Sequence, residues 1–324
     1  MNRGDYSAAV LIDLMVPAFG DDALVREMAR SVFAQDDPNW RLTAIDDGPA
    51  AGRAAGLGEW LAQAAPGDDR VRYRANPTRL GINRNFQSCV KAAEGDLVVL
   101  LGADDRLLPG FVSTLRRTAA AQPDVAFVHA GARVIDAAGD PTRPLVDRVK
   151  RAVSIRPAKG AGLTLAGGER LAASLLRGNW MYFPSVAFRR DWLVAHGFRE
   201  GYDVVQDLDL YLRILRAGGK AALLERPGIE YRRHPGSLSS TGAKDGSRFA
   251  EERRFFTEAA LELTDAGWPV AARAARLHLT SRLHQLSAVP ELVAAGQHRA
   301  AGRLLRHALR ALPVPVRTTE GAPA

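Results

Sequence analysis

Over residues 8–134, short apolar runs alternate with longer amphipathic ones, and this alternation constrains the fold more than any other feature. Strand patterns over 8–16, 41–45, 71–74, 97–101 and 125–134 are separated by helical patterns reaching 33, then over 51–65, 82–93 and 109–121. Strands divided by helical segments are the mark of a mostly parallel sheet covered by helices, so an α/β fold is expected. Pro17 and Gly20 are expected to end the first strand. The run Leu97-Val98-Val99-Leu100-Leu101 has no polar alternation and reads as a strand buried on both faces. Asp104-Asp105 follows it directly. In open α/β sheets ligands bind beyond the carboxyl ends of the strands. Two neighbouring carboxylates there repel unless a cation screens them, and a hard divalent cation carrying a diphosphate suits such a place.

The middle of the chain is less regular. Residues 136–162, rich in Pro, Gly and Arg, read as an excursion over the surface. Helices follow over 168–176 and 207–217, with strands over 185–188 and 221–224. Beyond about residue 246 the pattern is helical, ending in a basic amphipathic stretch in which Leu304, Leu305, Ala308 and Leu309 oppose Arg303, Arg306 and Arg310. Such a stretch packs on the preceding domain or touches an anionic membrane. The division expected is a domain over 1–245, a helical extension over 246–318 and a disordered tail over 319–324.

Composition narrows the choices. One cysteine, Cys89, excludes an internal disulfide and a Cys-rich metal site. No run of about 18 apolar residues is present, so no spanning helix is expected and a cytoplasmic location is the default. The net charge of +8 comes mostly from Arg scattered through an Ala-rich background. No basic block with interleaved aromatics accompanies it, so nucleic acid is not expected as a partner.

Aspartate pairs recur through the chain, but only Asp46-Asp47 and Asp104-Asp105 directly follow apolar strands. In a parallel sheet both lie on one edge, within reach of one small molecule. Taken in order, Pro17, Ser31 to Gln35, Asp46-Asp47-Gly48, Asn76, Gly81, Asn85, Glu94-Gly95-Asp96, Asp104-Asp105, Gln206-Asp207 and Arg233-His234 resemble the motif series of the family 2 glycosyltransferases, inverting enzymes of GT-A fold. The resemblance covers residues 8–240. It implies a nucleotide-diphospho-sugar donor, a hydroxyl-bearing acceptor (saccharide, lipid-linked or small molecule) and Mn²⁺ or Mg²⁺ as cofactor. It also implies roles. Asp46 or Asp47 would accept a hydrogen bond from the base, with Pro17, Phe19 and Asn85 in the same nucleotide site. Asp104 would hold the ribose or metal waters, and Asp105 the metal, to which His234 adds a metal or phosphate contact. Asp207 would be the general base, with Asp209 as the competing residue. Arg79 and Arg84 could touch phosphate or be solvated loop residues. Trp180 and Tyr182, in an aromatic stretch, are candidates for stacking on an acceptor sugar.

The departures are Gly102, where the family often has an acid, and Phe19-Gly20 in place of Tyr-Asn. The Gln-x-x-Arg-Trp motif of processive synthases is missing, which favours single-sugar transfer, as in the making of a cell-surface polysaccharide, glycolipid or glycosylated metabolite. Two other readings stay open. One is a non-catalytic GT-A scaffold that binds a nucleotide or a protein. The other, a sugar nucleotidyltransferase, lacks its Gly-rich basic loop after the first strand. Peripheral membrane contact and a homodimer are also left open.

Overall fold

A computed structural model describes residues 10–20, 23–49, 52, 56–157, 159–233, 247–294 and 296–309. Its spine is an eight-stranded sheet. The strands are β1 (Ile12–Ala18), β2 (Trp40–Asp46), β3 (Val71–Ala75), β4 (Leu97–Leu100), β6 (Phe127–His129), β8 (Leu163–Gly167), β9 (Val186–Arg189) and β10 (Lys220–Leu224), in the order β3-β2-β1-β4-β9-β6-β10-β8. Pairs within β3-β2-β1-β4 and between β6 and β10 are parallel, whereas β9 runs against both its neighbours and β8 against β10. A small second sheet holds β5 (Arg106–Leu107), β11 (Ile229–Arg232) and β7 (Ala132–Ile135).

Helices α1 (Ala23–Phe33), α2 (Gly56–Ala64), α3 (Ile82–Ala92) and α4 (Phe111–Ala121) occupy the expected crossovers. After them come α5 (Leu145–Val153), α6 (Gly168–Gly178), α7 (Arg190–His196) and α8 (Gln206–Arg216). The last four are α9 (Ser247–Asp265), α10 (Pro269–Leu277), α11 (Leu279–Ala294) and α12 (His298–Leu309). β4 shows why its sequence lacks alternation. Val98 and Leu100 point into a core beneath α3, α6 and α8, while Leu97 and Val99 point into a second core beneath α1 and α4. Both faces of the strand are dry, so both need apolar residues.

Three expectations change. The first strand runs on through Pro17 to Ala18. On the β2 side the pairing continues to Ala18, whereas on the β4 side it ends at Met15, whose carbonyl accepts the N–H of Leu101 at 2.8 Å; Pro17, having no N–H, cannot make the next bond of that ladder. The single strand expected over 125–134 is two, β6 and β7, parted at Gly131 with φ 66°, a left-handed turn that suits glycine. The surface excursion over 136–162 contains α5, which packs against α6.

Sequence motifs away from the ligand edge turn out to be fasteners. Asp13, fully buried in β1, is gripped by Arg41 through two hydrogen bonds of 2.8 Å each, and accepts the N–H groups of Glu94 and Gly95 at 2.6 and 2.7 Å. Asp96 accepts the N–H of Leu11 at 2.8 Å. Glu94-Gly95-Asp96 therefore locks the entry of β4 to β1. Ser31 of α1 accepts the N–H of Leu107 at 2.9 Å, and Gln35, just past the end of that helix, bonds both the carbonyl of Leu108 and the N–H of Val112. These two side chains hold the segment that follows Asp104-Asp105.

Candidate active site

The carboxyl edge of the large sheet gathers three groups of polar side chains. In the first, Asp46 ends β2 and is fully buried. Its Oδ1 accepts the N–H groups of Gly20 and Gly48 at 2.7 and 2.8 Å, and its Oδ2 the hydroxyl of Tyr73 at 3.1 Å. A Cβ on Gly48 would lie 2.1 Å from the backbone nitrogen of Gly20, so glycine is required there. Asp47 accepts from Asn76 and from the N–H groups of Leu80 and Gly81 at 3.0, 2.8 and 2.8 Å. Asn85 donates to the carbonyl of Ile45 and accepts from Asn76, both at 3.0 Å. Pro17 carries the chain past this cluster to Phe19, which is exposed and lies beneath the guanidinium of Arg79, 5.4 Å from its ring centroid.

The second group follows β4. Asp105 is buried. Its Oδ1 accepts the N–H of Arg232 at 2.9 Å, and its Oδ2 has no hydrogen-bond partner. Burial and the charge of Asp104 hold the Asp105 carboxyl well above the usual carboxylate range, against the pull of Arg232. Gly102 leaves room for both acids. A Cβ there would stand 2.4 Å from Asp105 Oδ2 and 3.1 Å from Asp104 Oδ1, so the two carboxylates converge on the space its hydrogen leaves. Arg232, itself buried, donates to the carbonyl of Asp104 at 2.9 Å and to Glu27 at 2.7 Å, tying β11 to this loop. An orphaned buried oxygen beside a second acid is a donor set that fits a hard divalent cation. No cluster of three or more His, Cys, Asp or Glu is arranged for a metal among the described residues.

The third group surrounds Asp207, on the first turn of α8. Its Oδ1 accepts the N–H of Leu208 at 2.7 Å and its Oδ2 the side chain of Asn179 at 3.0 Å. Burial raises its proton affinity, while Asn179, the Leu208 N–H and Lys150 favour the anion. Asn179 reaches it from the end of α6 in a left-handed conformation, φ 32°. Asp147 of α5 takes two bonds from Arg233, at 2.8 and 2.6 Å, and one from the hydroxyl of Tyr182. The rings of Tyr182 and Tyr231 lie 4.7 Å apart. Tyr231 feels the charges of Asp104, Asp105 and Asp207, so it stands between the second group and the third.

This arrangement can be set beside known proteins. A family model described as Glycosyl transferase family 2 matches residues 13–165. An uncharacterized Mycobacterium tuberculosis protein, MT1568, is 30% identical over 250 residues, which span 74% of this chain and 75% of that one. The chain belongs to glycosyl transferase family 2. The O-antigen biosynthesis protein RfbC of Myxococcus xanthus is 27% identical over 239 residues, 72% of this chain but 16% of RfbC. Among solved structures, residues 1–349 of S. aureus TarS in complex with UDP-GlcNAc superpose with a TM-score of 0.63 at 12% identity, covering 94% of this chain and 82% of that one. The Pyrobaculum calidifontis mannosyltransferase PcManGT, in complex with GDP-Man and Mn²⁺, gives 0.55 at 16% identity, with 93% and 80% covered. The fold is GT-A, with a helical C-terminal region.

For this family 2 glycosyltransferase the structure revises several expected roles. Asp46 or Asp47 is the expected acceptor for a nucleotide base. Here their oxygens already hold the turns at 18–20, 48 and 80–81, and Asn85 braces the same strand ends from within. What reaches solvent beside them is Phe19 with Arg79. Trp180 does not line a cleft: it is 6% exposed, donates to Ser174 at 2.9 Å and packs edge-on to His129. Tyr182 does belong to the Asp207 group. Asp209 is buried and ion-paired with Arg213 at 2.8 Å, a structural position. Arg84 is exposed, with Glu200 at 3.6 Å. His234 lies outside the described residues. The sequence reading missed Asp147, Lys150, Asn179, Tyr231 and Arg232. The apolar spacing Val149, Val153 beside Asp147 and Lys150 was the signal for α5, hidden in a segment rich in Pro and Arg.

Proposed function

We propose that this glycosyltransferase moves one sugar from a nucleotide-diphospho-sugar to an acceptor hydroxyl with inversion, and that Asp207 is the general base. The observation that carries the reading is the environment of Asp207. It is desolvated, its proton affinity is raised by burial, and Asn179 and the Leu208 N–H orient it. A carboxylate so held can accept the proton of a hydroxyl as that oxygen attacks the anomeric carbon from the face opposite the leaving group. The acceptor would enter on the α5 and α8 side, past Tyr182. The donor would lie on the other side, with its base near Phe19 and Arg79 and its diphosphate near Asp104.

Mn²⁺ or Mg²⁺ held by Asp104 and Asp105 would neutralise charge on the departing nucleoside diphosphate. The unpartnered Oδ2 of Asp105 and the gap at Gly102 support that assignment, and the solved complex of PcManGT contains Mn²⁺. The two superposed structures hold UDP-GlcNAc and GDP-Man, which supports a nucleotide-sugar donor here. RfbC is named for O-antigen biosynthesis, which supports a role in making a cell-surface polysaccharide or glycolipid. No helix among the described residues is long and apolar enough to cross a membrane.

Calorimetric titration of UDP, GDP, ADP, CDP and TDP, with and without Mn²⁺, tests the donor half on the wild type and on Asp105→Ala. Metal-dependent binding of one nucleotide, lost in the variant, is the expected result. Binding of none under either condition would leave a non-catalytic scaffold as the better reading. With the donor nucleotide known, Asp207→Asn tests the other half: the nucleotide still binds and turnover is lost.

A further inference from the structure

Lys150 is a charge beside Asp147, Asp207 and Tyr182 to which the reaction above gives no task. It lies on α5 one turn beyond Asp147. Around it the carboxylates are committed elsewhere. Asp147 is taken by Arg233 and Tyr182, and Asp207 by Asn179 and the Leu208 N–H. Arg248, the other nearby cation, pairs with Glu252 at 2.7 Å. The Lys150 ammonium has no hydrogen bond or ion pair with any described residue; its contact is the face of Tyr182, 5.2 Å from the ring centroid. Burial and Arg233 bring it down to about 8, so it is mostly protonated at neutral pH. A partly desolvated ammonium with unspent donors is costly unless an oxygen anion arrives to meet it.

Its position says on which substrate that anion travels. The carboxylates acting most strongly on Lys150 are Asp147 and Asp207, on the acceptor side, rather than the Asp104–Asp105 pair. The choice of residue is also informative. The chain has five lysines among 44 basic residues, so a compact ammonium here departs from its habitual guanidinium. We propose that Lys150 is an anion subsite for the acceptor, gripping a phosphate or carboxylate that the acceptor carries near the hydroxyl presented to Asp207. The inference rests on Asp207 being the base, because that is what makes this side the acceptor side.

The scarcity of lysines makes chemical footprinting decisive. The full chain, with Mn²⁺ and the nucleoside diphosphate it binds, is acetylated in trace amounts at neutral pH. Glucose 6-phosphate, glucuronate or glucose is present as the probe, and labelling at Lys150 is read by mass spectrometry against Lys91 and Lys220. Glucose 6-phosphate or glucuronate should protect Lys150, and glucose should not. Protection by the first alone identifies a phosphate, by the second alone a carboxylate. Equal protection by glucose, protection by the nucleoside diphosphate alone, or protection by no probe would each overturn the proposal.

Lys150→Met supplies the independent check by saturation-transfer NMR. The protecting anion should bind about tenfold more weakly, the loss of one charge-assisted hydrogen bond, and the nucleoside diphosphate as tightly as before. Unchanged anion affinity in the variant overturns the subsite. If no nucleotide binds the wild type and the anions still protect Lys150, the donor reading falls while the anion subsite stands.

Discussion

A carboxylate serves as a base only if it is ionised before the acceptor arrives and binds a proton firmly afterwards. Asp207 is balanced between these demands: burial raises its proton affinity, and the hydrogen bond from Asn179 restrains the rise. Asp207→Asn should therefore lower kcat by about 10²–10⁴-fold, the usual worth of general acid–base catalysis, with nucleotide affinity unchanged by calorimetry. The same balance gives a pH prediction. With Asp207 as the proposed base, which works deprotonated, activity should fall as pH drops through its raised pKa. Asn179→Gly removes a donor to the anion, and glycine tolerates the φ of 32°. The acid limb of kcat/KM should shift to higher pH in this variant, with the alkaline plateau kept; an unmoved limb would show that Asn179 does not tune Asp207. On the donor side, Gly102→Ala puts a methyl 2.4 Å from Asp105 Oδ2, where the two acids converge. Metal-dependent nucleotide binding should weaken by about tenfold or more, roughly one lost charge-assisted contact, while metal-free binding stays the same.

Between elements, much of the register is set by single buried acids. Asp13 joins β1 to Arg41 of β2 and to the turn entering β4. Removing one partner of a buried ion pair typically costs about 3–5 kcal/mol, because the other charge stays desolvated. Asp13→Ala should lose about that much in urea unfolding, and Asp13→Ala combined with Arg41→Met should lose less than Asp13→Ala alone. Such links explain what could be read from the chain. The crossovers from β1 to α4 were legible because burial on one or both faces writes a period into the sequence. Gly131 parts β6 from β7 through one left-handed residue within an apolar run, which leaves no period to read. The acids at strand and helix ends were legible as a site because topology brings such ends to one edge. Which of them are spent was not: Asp46 and Asp47 are consumed by backbone N–H groups that no side-chain motif records. Nor was the Asp147–Arg233 pair, whose members stand 86 residues apart, one in α5 and one just past β11.

At the scale of the molecule, a boundary near residue 245 marks a change in pattern, but the core does not stop there. Phe255, Phe256, Ala259 and Leu263 of α9 and Ala271, Ala272 and Ala275 of α10 lie in the same buried cluster as Phe127 of β6, Phe188 of β9 and Tyr211 of α8. Tyr202 packs edge-on against Phe255, and Glu169 of α6 accepts the N–H groups of Val270 and Ala271 at the start of α10. Each buried Phe or Leu contributes about 1.5–3 kcal/mol. Phe255, Phe256 and Leu263 together are thus comparable with the whole stability of an ordinary domain, about 5–15 kcal/mol. The α9–α10 pair therefore behaves as part of the catalytic body rather than as an independent extension. Full-length protein should unfold in one calorimetric transition whose van't Hoff and calorimetric enthalpies agree. A chain ending at residue 246 should be insoluble or lack a cooperative transition, because it uncovers the apolar faces of α6 and α8 beneath α9 and α10. Two separate transitions in the full-length protein, or a folded nucleotide-binding fragment over 1–246, would restore the two-domain division. The α8 helix that carries Asp207 rests on that shared core, and Glu251 of α9 accepts the N–H groups of Val204 and Val205 just before it, so a loss of nucleotide binding in the fragment would trace the site's geometry to the α9–α10 pair.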